Sequence, residues 1–234
     1  MKSTKRCTSV IIFLILASSV ACGAEQLTLR VSTPADGRDV PVCAEIELPP
    51  ALVNVPCEDV TIELKQAGTG RTTPGQLVKA DDGKTKLWWV LPQAKANDTN
   101  MWVATLKLGA ISGDKQFSWQ DRKGQYLDLL FDGRKVTRYM YAHETSNEQR
   151  TFETYKPFHH VYDASGNRLT NGPDGVDSYI ENQILYPHHR GIYIGWSKVT
   201  FEGKQYDLWH MPQAHQVHQK ILEQIAGPVL ARST

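Results

Sequence analysis

Residues 129–136 read Leu-Leu-Phe-Asp-Gly-Arg-Lys-Val. They place an Asp-Gly pair between two β-prone runs, 126–131 and 135–141, which is a strong short-range hairpin signal. Phe201-Glu202-Gly203-Lys204 reads as a second hairpin. Outward from these, short runs rich in β-branched and aromatic residues alternate with Gly, Pro, Asn and Asp clusters. The runs fall at 27–31, 60–65, 86–91, 101–108, 158–162, 192–196, 199–201 and 205–209. No βαβ alternation appears, so the pattern predicts an all-β, sandwich-type architecture. The stretch 213–225 (QAHQVHQKILEQI) is ambiguous: Val217, Ile221, Leu222 and Ile225 have helical spacing before Gly227-Pro228, yet the same residues also read as a bent strand.

The chain has 234 residues, 41% hydrophobic and 22% charged, enough for one sizeable core or two small ones. A net charge of +1 without a long basic run argues against a nucleic-acid protein that works by phosphate neutralisation. The only long apolar stretch is at the extreme N-terminus, which excludes a multi-span membrane protein. A boundary falls near 109–113. It separates a small N-terminal β domain, 25–113, from a second region, 114–234, that holds all eight histidines, from His143 to His218. Any chemistry belongs to the second region.

The N-terminus has the three-part layout of a secretory signal, 1–24. Lys2, Lys5 and Arg6 are basic, 10–20 is an apolar stretch of 11 residues, and Ala21, Cys22, Gly23 and Ala24 follow. Spanning a bilayer takes roughly 20 residues, so the stretch is short for a membrane anchor. The expectation is an exported protein, periplasmic or extracellular, with Cys22 as a possible lipid-attachment site and no integral membrane segment after the signal. Removing 1–24 would take three of the 26 cationic side chains and leave 25 acidic ones, a net charge of about −2. Cys43 and Cys57 remain. In an oxidising compartment they read as a disulfide, and closing a loop of about 15 residues contributes roughly 3 kcal/mol. Free thiols are the competing reading; no Cys-x-x-Cys spacing supports metal.

Four local clusters carry the candidate chemistry: Lys156-Pro157-Phe158-His159-His160, Tyr186-Pro187-His188-His189-Arg190-Gly191, Asp207-Leu208-Trp209-His210, and His215-Gln216-Val217-His218. Imidazoles near their usual pKa suit proton transfer at neutral pH. The catalytic candidates are His160, His188, His189 and His210, with Arg190 as the cation for a carboxylate or developing oxyanion. The substrate-binding candidates are Lys156, Tyr186, Trp196, Asp207 and Trp209, with the indoles stacking on a sugar ring and the carboxylate accepting from hydroxyls. Strand alternation allows one His of each pair to face a common pocket, unless the pair lies in a loop. For any single His the competing reading is a hydrogen-bonded core side chain. Lys156 also reads as a solvated side chain and Gly191 as a positive-φ turn. The alternative chemistry is a copper, iron or zinc site built from His188, His210, His215 and His218, although no His-Glu-x-x-His spacing is present. A nucleophilic serine has no Gly-x-Ser-x-Gly elbow to sit on.

YKPFHHVYDASGNRLTNGP (155–173), YPHHRGIYIGW (186–196), DLWHM (207–211) and AHQVHQKILEQIAGPVL (214–230) together resemble the planctomycete-type proteins labelled methane oxygenase PmoA-like. The resemblance covers about half the chain, and LWWVLP (87–92) looks like part of the β domain that often precedes it. It implies a fold similar to the large β-sandwich of galactose mutarotases, a supersandwich whose concave face handles a sugar through histidines and a carboxylate. By that analogy His160, His188, His189 and His210 are the pocket histidines. The implied function is carbohydrate binding or an isomerase- or lyase-like reaction needing no cofactor. The label implies a metal-dependent oxidoreductase as the alternative. Members of the family continue beyond the GPVL block, whereas this chain stops at Thr234. The resemblance therefore implies an incomplete sandwich with an open edge: a truncated gene product, a chain whose edge a second copy covers, or a non-functional one.

Overall fold

The computed structural model describes residues 11–15, 24–109, 115–173, 188–212 and 214–234. The protein is all-β, with one short α-helix and one 3-10 turn among the described residues. It divides into two compact units: Met1–Gln116 with Gly227–Leu230, and Phe117–Ala226 with Ala231–Thr234. No helix among the described residues is long and apolar enough to cross a membrane.

The first unit is a seven-stranded antiparallel sheet. Its strands are β1 (Ile11–Ile15), β2 (Glu25–Thr33), β3 (Gly37–Ile46), β4 (Val60–Gln66), β5 (Thr72–Lys79), β6 (Thr85–Ala94) and β7 (Asp98–Leu108), in the order β1-β2-β7-β4-β5-β6-β3. Alternation builds the core. Leu27, Leu29 and Val31 on β2, Ile62 and Leu64 on β4, Leu87 and Trp89 on β6, and Trp102 and Leu106 on β7 all turn to one face. Val42 and Ala44 of the edge strand β3 join the same cluster, so the sheet curls over its own inner face. Each large apolar side chain buried there contributes about 1.5–3 kcal/mol. β1 lies within the apolar stretch expected to be a signal and pairs with β2 from Ile11↔Ser32 to Ile15↔Thr28. Residues 1–10 and 16–23 of that segment, with Cys22, lie outside the described residues.

The expected Cys43–Cys57 disulfide is not made; both thiols are free. Val42 and Ala44 turn into the core, so Cys43 between them takes the opposite face of β3. Cys57 opens the 3-10 turn Cys57–Asp59 and packs against the inner cluster. The sheet itself separates the two sulfurs. Burial pushes both thiols up from their ordinary pKa, which keeps them protonated and poorly nucleophilic.

The second unit is built on a four-stranded antiparallel sheet, β11-β10-β9-β8: β8 (Phe117–Arg122), β9 (Tyr126–Phe131), β10 (Arg134–Met140) and β11 (Phe158–Val161). Two small hairpins follow, β12 (Val199–Phe201) with β13 (Lys204–Tyr206), and β14 (Gln224–Ala226) with β15 (Ala231–Ser233). The Asp-Gly hairpin forms as read. Asp132 and Gly133 both take positive φ, 53° and 72°, and Phe131 pairs with Arg134. One sheet face buries a bidentate Arg138–Asp128 ion pair, with Nε–Oδ1 at 2.7 Å and Nη2–Oδ2 at 2.8 Å, under the Tyr126 ring. Burial opposes the Arg138 charge, but Asp128 outweighs it and holds the guanidinium pKa above its usual value. In the ambiguous stretch, residues 214–223 form neither helix nor strand, and Gln224 and Ile225 enter β14; residue 213 lies outside the described residues. The run 192–196 forms no strand and carries one bridge, Ile192 with His159.

Candidate functional site

Three pieces of chain outside the sheets of the second unit converge on one cleft. The first is helix α1 (Glu148–Thr154), started by Asn147, whose side chain accepts the Arg150 amide at 2.8 Å. Arg150 bonds Glu144 with both Nε, at 2.9 Å, and Nη2, at 3.0 Å, and also pairs with buried Glu153. The second piece is the loop 188–191. The third is the turn 207–211.

Asp207 creates that turn. Its Oδ1 accepts the amides of Trp209, at 2.8 Å, and His210, at 2.9 Å, while Oδ2 lies 2.7 Å from His210 Nδ1. Met211 closes the turn with φ 59° and an amide bond back to the Asp207 carbonyl. The His210 amide, its imidazole and the Trp209 amide hold the Asp207 carboxyl below its usual pKa, so it is ionised at neutral pH. An ionised acceptor requires a proton on Nδ1 of His210. That leaves Nε2 of the neutral ring as a lone pair, the orientation a general base needs.

Two buried cations tie the three pieces together. Lys156 is 1% exposed; its Nζ donates to the carbonyls of His188, at 2.8 Å, and Trp209, at 3.0 Å, and lies 3.5 Å from the Tyr193 ring centre. Burial and the neighbouring Arg190 charge bring its pKa down from 10.5 to about 8, with Asp207 pulling the other way. Arg190 is 0% exposed and donates to the carbonyls of Phe152 and Glu153 at the C-terminal end of α1. A cation there satisfies carbonyls the helix itself cannot. The Tyr155 ring covers the guanidinium at 4.2 Å.

These contacts correct three expectations. Arg190 and Lys156 are buried, each donating to two main-chain carbonyls of the interior, and neither lines the cleft. His160 is also structural. It is fully buried, with Nδ1 3.0 Å from Thr170 Oγ1 and Nε2 2.6 Å from the Pro173 carbonyl. The carbonyl requires a proton on Nε2, so Thr170, which accepts the Val161 amide, donates to Nδ1. Strand alternation on β11 sends His160 inward and His159 outward.

The structure brings together His188, His189 and His210. The ring centres of His188 lie 4.2 Å from His189 and 4.6 Å from His210. Partial burial, then the charges of His189, His210 and Lys156, hold His188 below its usual pKa and neutral at pH 7. Trp209 packs edge-on against His189 at 5.7 Å and lies 5.3 Å from Tyr193. Trp196 is 63% exposed and stands outside this group. Tyr186 lies outside the described residues. His188 and His210 open onto a cleft of about 600 Å³, shared with Thr145, Glu148, Phe152 and His215. The α1 residues carry one local signal in the sequence, the Asn-x-x-Arg start of the helix, and nothing local marks His215 as a neighbour of that helix.

The four expected metal ligands do not gather. His215 packs edge-on against His143 at 5.4 Å, and His218 lies in a different cleft, 3.3 Å from the Tyr139 hydroxyl. Among the described residues no group of three His, Cys, Asp or Glu side chains is placed to hold a metal ion.

Residues 126–234 match a family model described as "Family of unknown function (DUF6807)". The match begins at the first residue of β9 and includes the whole cleft. No curated protein and no solved structure matches the chain.

Proposed function

We propose that this chain is a carbohydrate-active or carbohydrate-binding protein whose ligand occupies the α1 cleft, with His210 as proton acceptor. The observation that carries this reading is the 2.7 Å Asp207–His210 contact at the edge of the cleft, beside the second imidazole of His188. The carboxylate fixes the tautomer and stabilises the imidazolium that forms when Nε2 takes a proton from a sugar hydroxyl or an acidic C–H. His188, neutral and adjacent, is placed to exchange a proton with the same ligand. Hydroxyls of Thr145 and Thr151 and the Glu148 carboxylate supply hydrogen-bond partners, and Phe152 and Tyr155 supply apolar ring surface. A positioned base of this kind contributes about 10²–10⁴-fold to a rate.

The test is a glycan panel titrated into the protein by calorimetry, with product formation followed by NMR. His210→Ala and Asp207→Asn are compared with the wild type. The reading expects a bound glycan and, where turnover occurs, a loss of about 10²-fold or more in His210→Ala. The His210 side chain is 52% exposed, so the variant folds. Unchanged turnover and affinity in both variants, or a folded wild type that binds no glycan, would overturn it.

A further inference from the structure

The seven-stranded sheet of the first unit ends in two unlike edges, β1 and β3. β3 is guarded against further pairing. Asp39 takes φ 50°, Pro41 has no amide proton, and Arg38, Asp39 and Glu45 place charge along the strand. β1 differs in kind. It is part of the stretch read as an export signal, five residues laid antiparallel on β2 from Ile11↔Ser32 to Ile15↔Thr28. Removal of 1–24 with such a signal makes β2 the terminal strand.

β2 has none of the guards of β3. Residues Glu25–Thr33 include no Pro or Gly and no positive φ, and they pair with β7 without a break from Glu25↔Leu106 to Thr33↔Asp98. The side of β2 away from β7 already holds β1, so its backbone is arranged to accept an antiparallel strand. Leu27, Leu29 and Val31 turn into the core, while Gln26, Thr28, Arg30 and Ser32 take the opposite face. This pattern is symmetric about Leu29. Antiparallel pairing of β2 with a second β2 about Leu29 sets Leu27 against the partner's Val31 and Leu29 against the partner's Leu29. On the other face Gln26 meets the partner's Ser32 and Thr28 the partner's Arg30, so like charges never stand opposite. Centring the pair on Arg30 instead would set two guanidiniums against each other.

We propose that, after removal of 1–24, the β2 edge pairs antiparallel with β2 of a second copy of this chain, in the register centred on Leu29. In the full chain β1 occupies that edge and keeps the second copy off it. The inference rests on 1–24 being an export signal. It concerns the first unit alone, so it goes beyond the proposed function and stands without it.

Sedimentation equilibrium compares the full chain with residues 25–234. The core cluster of the first unit runs from Leu27 to Leu106 and lies wholly within 25–234, so the shorter chain keeps it. The expected result is a monomeric full chain and a 25–234 chain that dimerises as its concentration rises. Thr28 is half-buried on the outer face, so its variants keep the fold. In 25–234, Thr28→Arg places like charges opposite at two points of the pair and weakens the dimer by about tenfold, while Thr28→Glu faces the partner's Arg30 and tightens it by about the same factor. In the full chain, Ile12→Pro with Phe13→Pro removes two successive amide donors, one of which must face β2, and so displaces β1 without truncation. That variant is expected to dimerise as 25–234 does. The proposal is overturned if 25–234 and the proline variant both stay monomeric, or if the unaltered full chain dimerises as tightly as they do. It is also overturned if Thr28→Arg and Thr28→Glu leave the dimer unchanged or shift it in the same direction, which would place the contact on another surface.

Discussion

Replacing Gly191 by alanine tests how the His-His-Arg-Gly loop is held. Gly191 has φ +30°, and a Cβ added there would lie 2.0 Å from the His159 carbonyl oxygen and 2.9 Å from its carbon. Both contacts are with backbone, so relief requires the chain itself to move by about 1 Å or more. That movement breaks the bridge on either side of the contact, His159 N to Ile192 O at 2.8 Å and Ile192 N to His159 O at 2.9 Å. It also strains the Gly191 amide bond to Asn171 O, at 2.9 Å. Each bond contributes about 1 kcal/mol net, and the left-handed backbone costs alanine about 1 kcal/mol more. Together the loss is about 4 kcal/mol. Gly133→Ala is the matched control. Gly133 has φ +72°, and a Cβ added there would meet nothing within 4 Å, so only the backbone cost of about 1 kcal/mol remains. Urea unfolding of the two variants should therefore differ by about 3 kcal/mol. Amide exchange at Ile192 should accelerate in Gly191→Ala alone. If the two variants unfold within about 1 kcal/mol of each other, the close approach is not what fixes this glycine.

Two further predictions concern buried charge. Asp128→Asn keeps the shape of the Arg138 partner but leaves the guanidinium without its counter-charge at a site where both side chains are under 10% exposed. It should cost about 3–5 kcal/mol in thermal unfolding, and adding Arg138→Met should restore much of the loss; a double variant no more stable than the single one would refute this. For Lys156, the folded pKa of about 8 lies below the unfolded value of 10.5, so between these values the unfolded chain binds the extra proton. Wild-type stability should rise with pH across that window relative to Lys156→Met, and equal pH slopes in the two proteins would show that Lys156 does not titrate there.

Much of the β framework is legible because alternation is a local signal. The runs at 60–65 and 126–131 become β4 and β9 with little change of boundary. β3 is not legible, since Arg38-Asp39 and Pro41 read as loop. It nevertheless forms because it is the last strand of the sheet, where an unpaired edge tolerates proline. Asp207 and His210 could be found from sequence because their contact is three residues long and depends only on a turn. The disulfide could not be judged that way. It depends on which face of β3 Cys43 takes and on what Cys57 packs against, and spacing records neither.

The motif residues divide according to where main-chain carbonyls need donors. Among the described residues, 188–196 carries a single bridge and 207–212 and 214–223 belong to no sheet, so their carbonyls and those at the end of α1 must find partners outside regular structure. Lys156 and Arg190 meet that need. Each has several N–H donors on a long apolar stem, and each is walled by aromatic rings that tolerate a cation. A histidine has at most two donors and a short reach, and can remain at the surface with one nitrogen fixed and the other open. The same Lys-Pro-Phe-His-His block thus sends Lys156 and His160 inward and His159 outward, while Pro-His-His-Arg sends Arg190 inward and leaves His188 beside His210. Reading each block as one chemical unit therefore assigns the cations to the ligand when they belong to the scaffold. The imidazoles keep their arrangement only while those cations hold the two loops, which makes the stability of Lys156 and Arg190 variants inseparable from the geometry of the cleft.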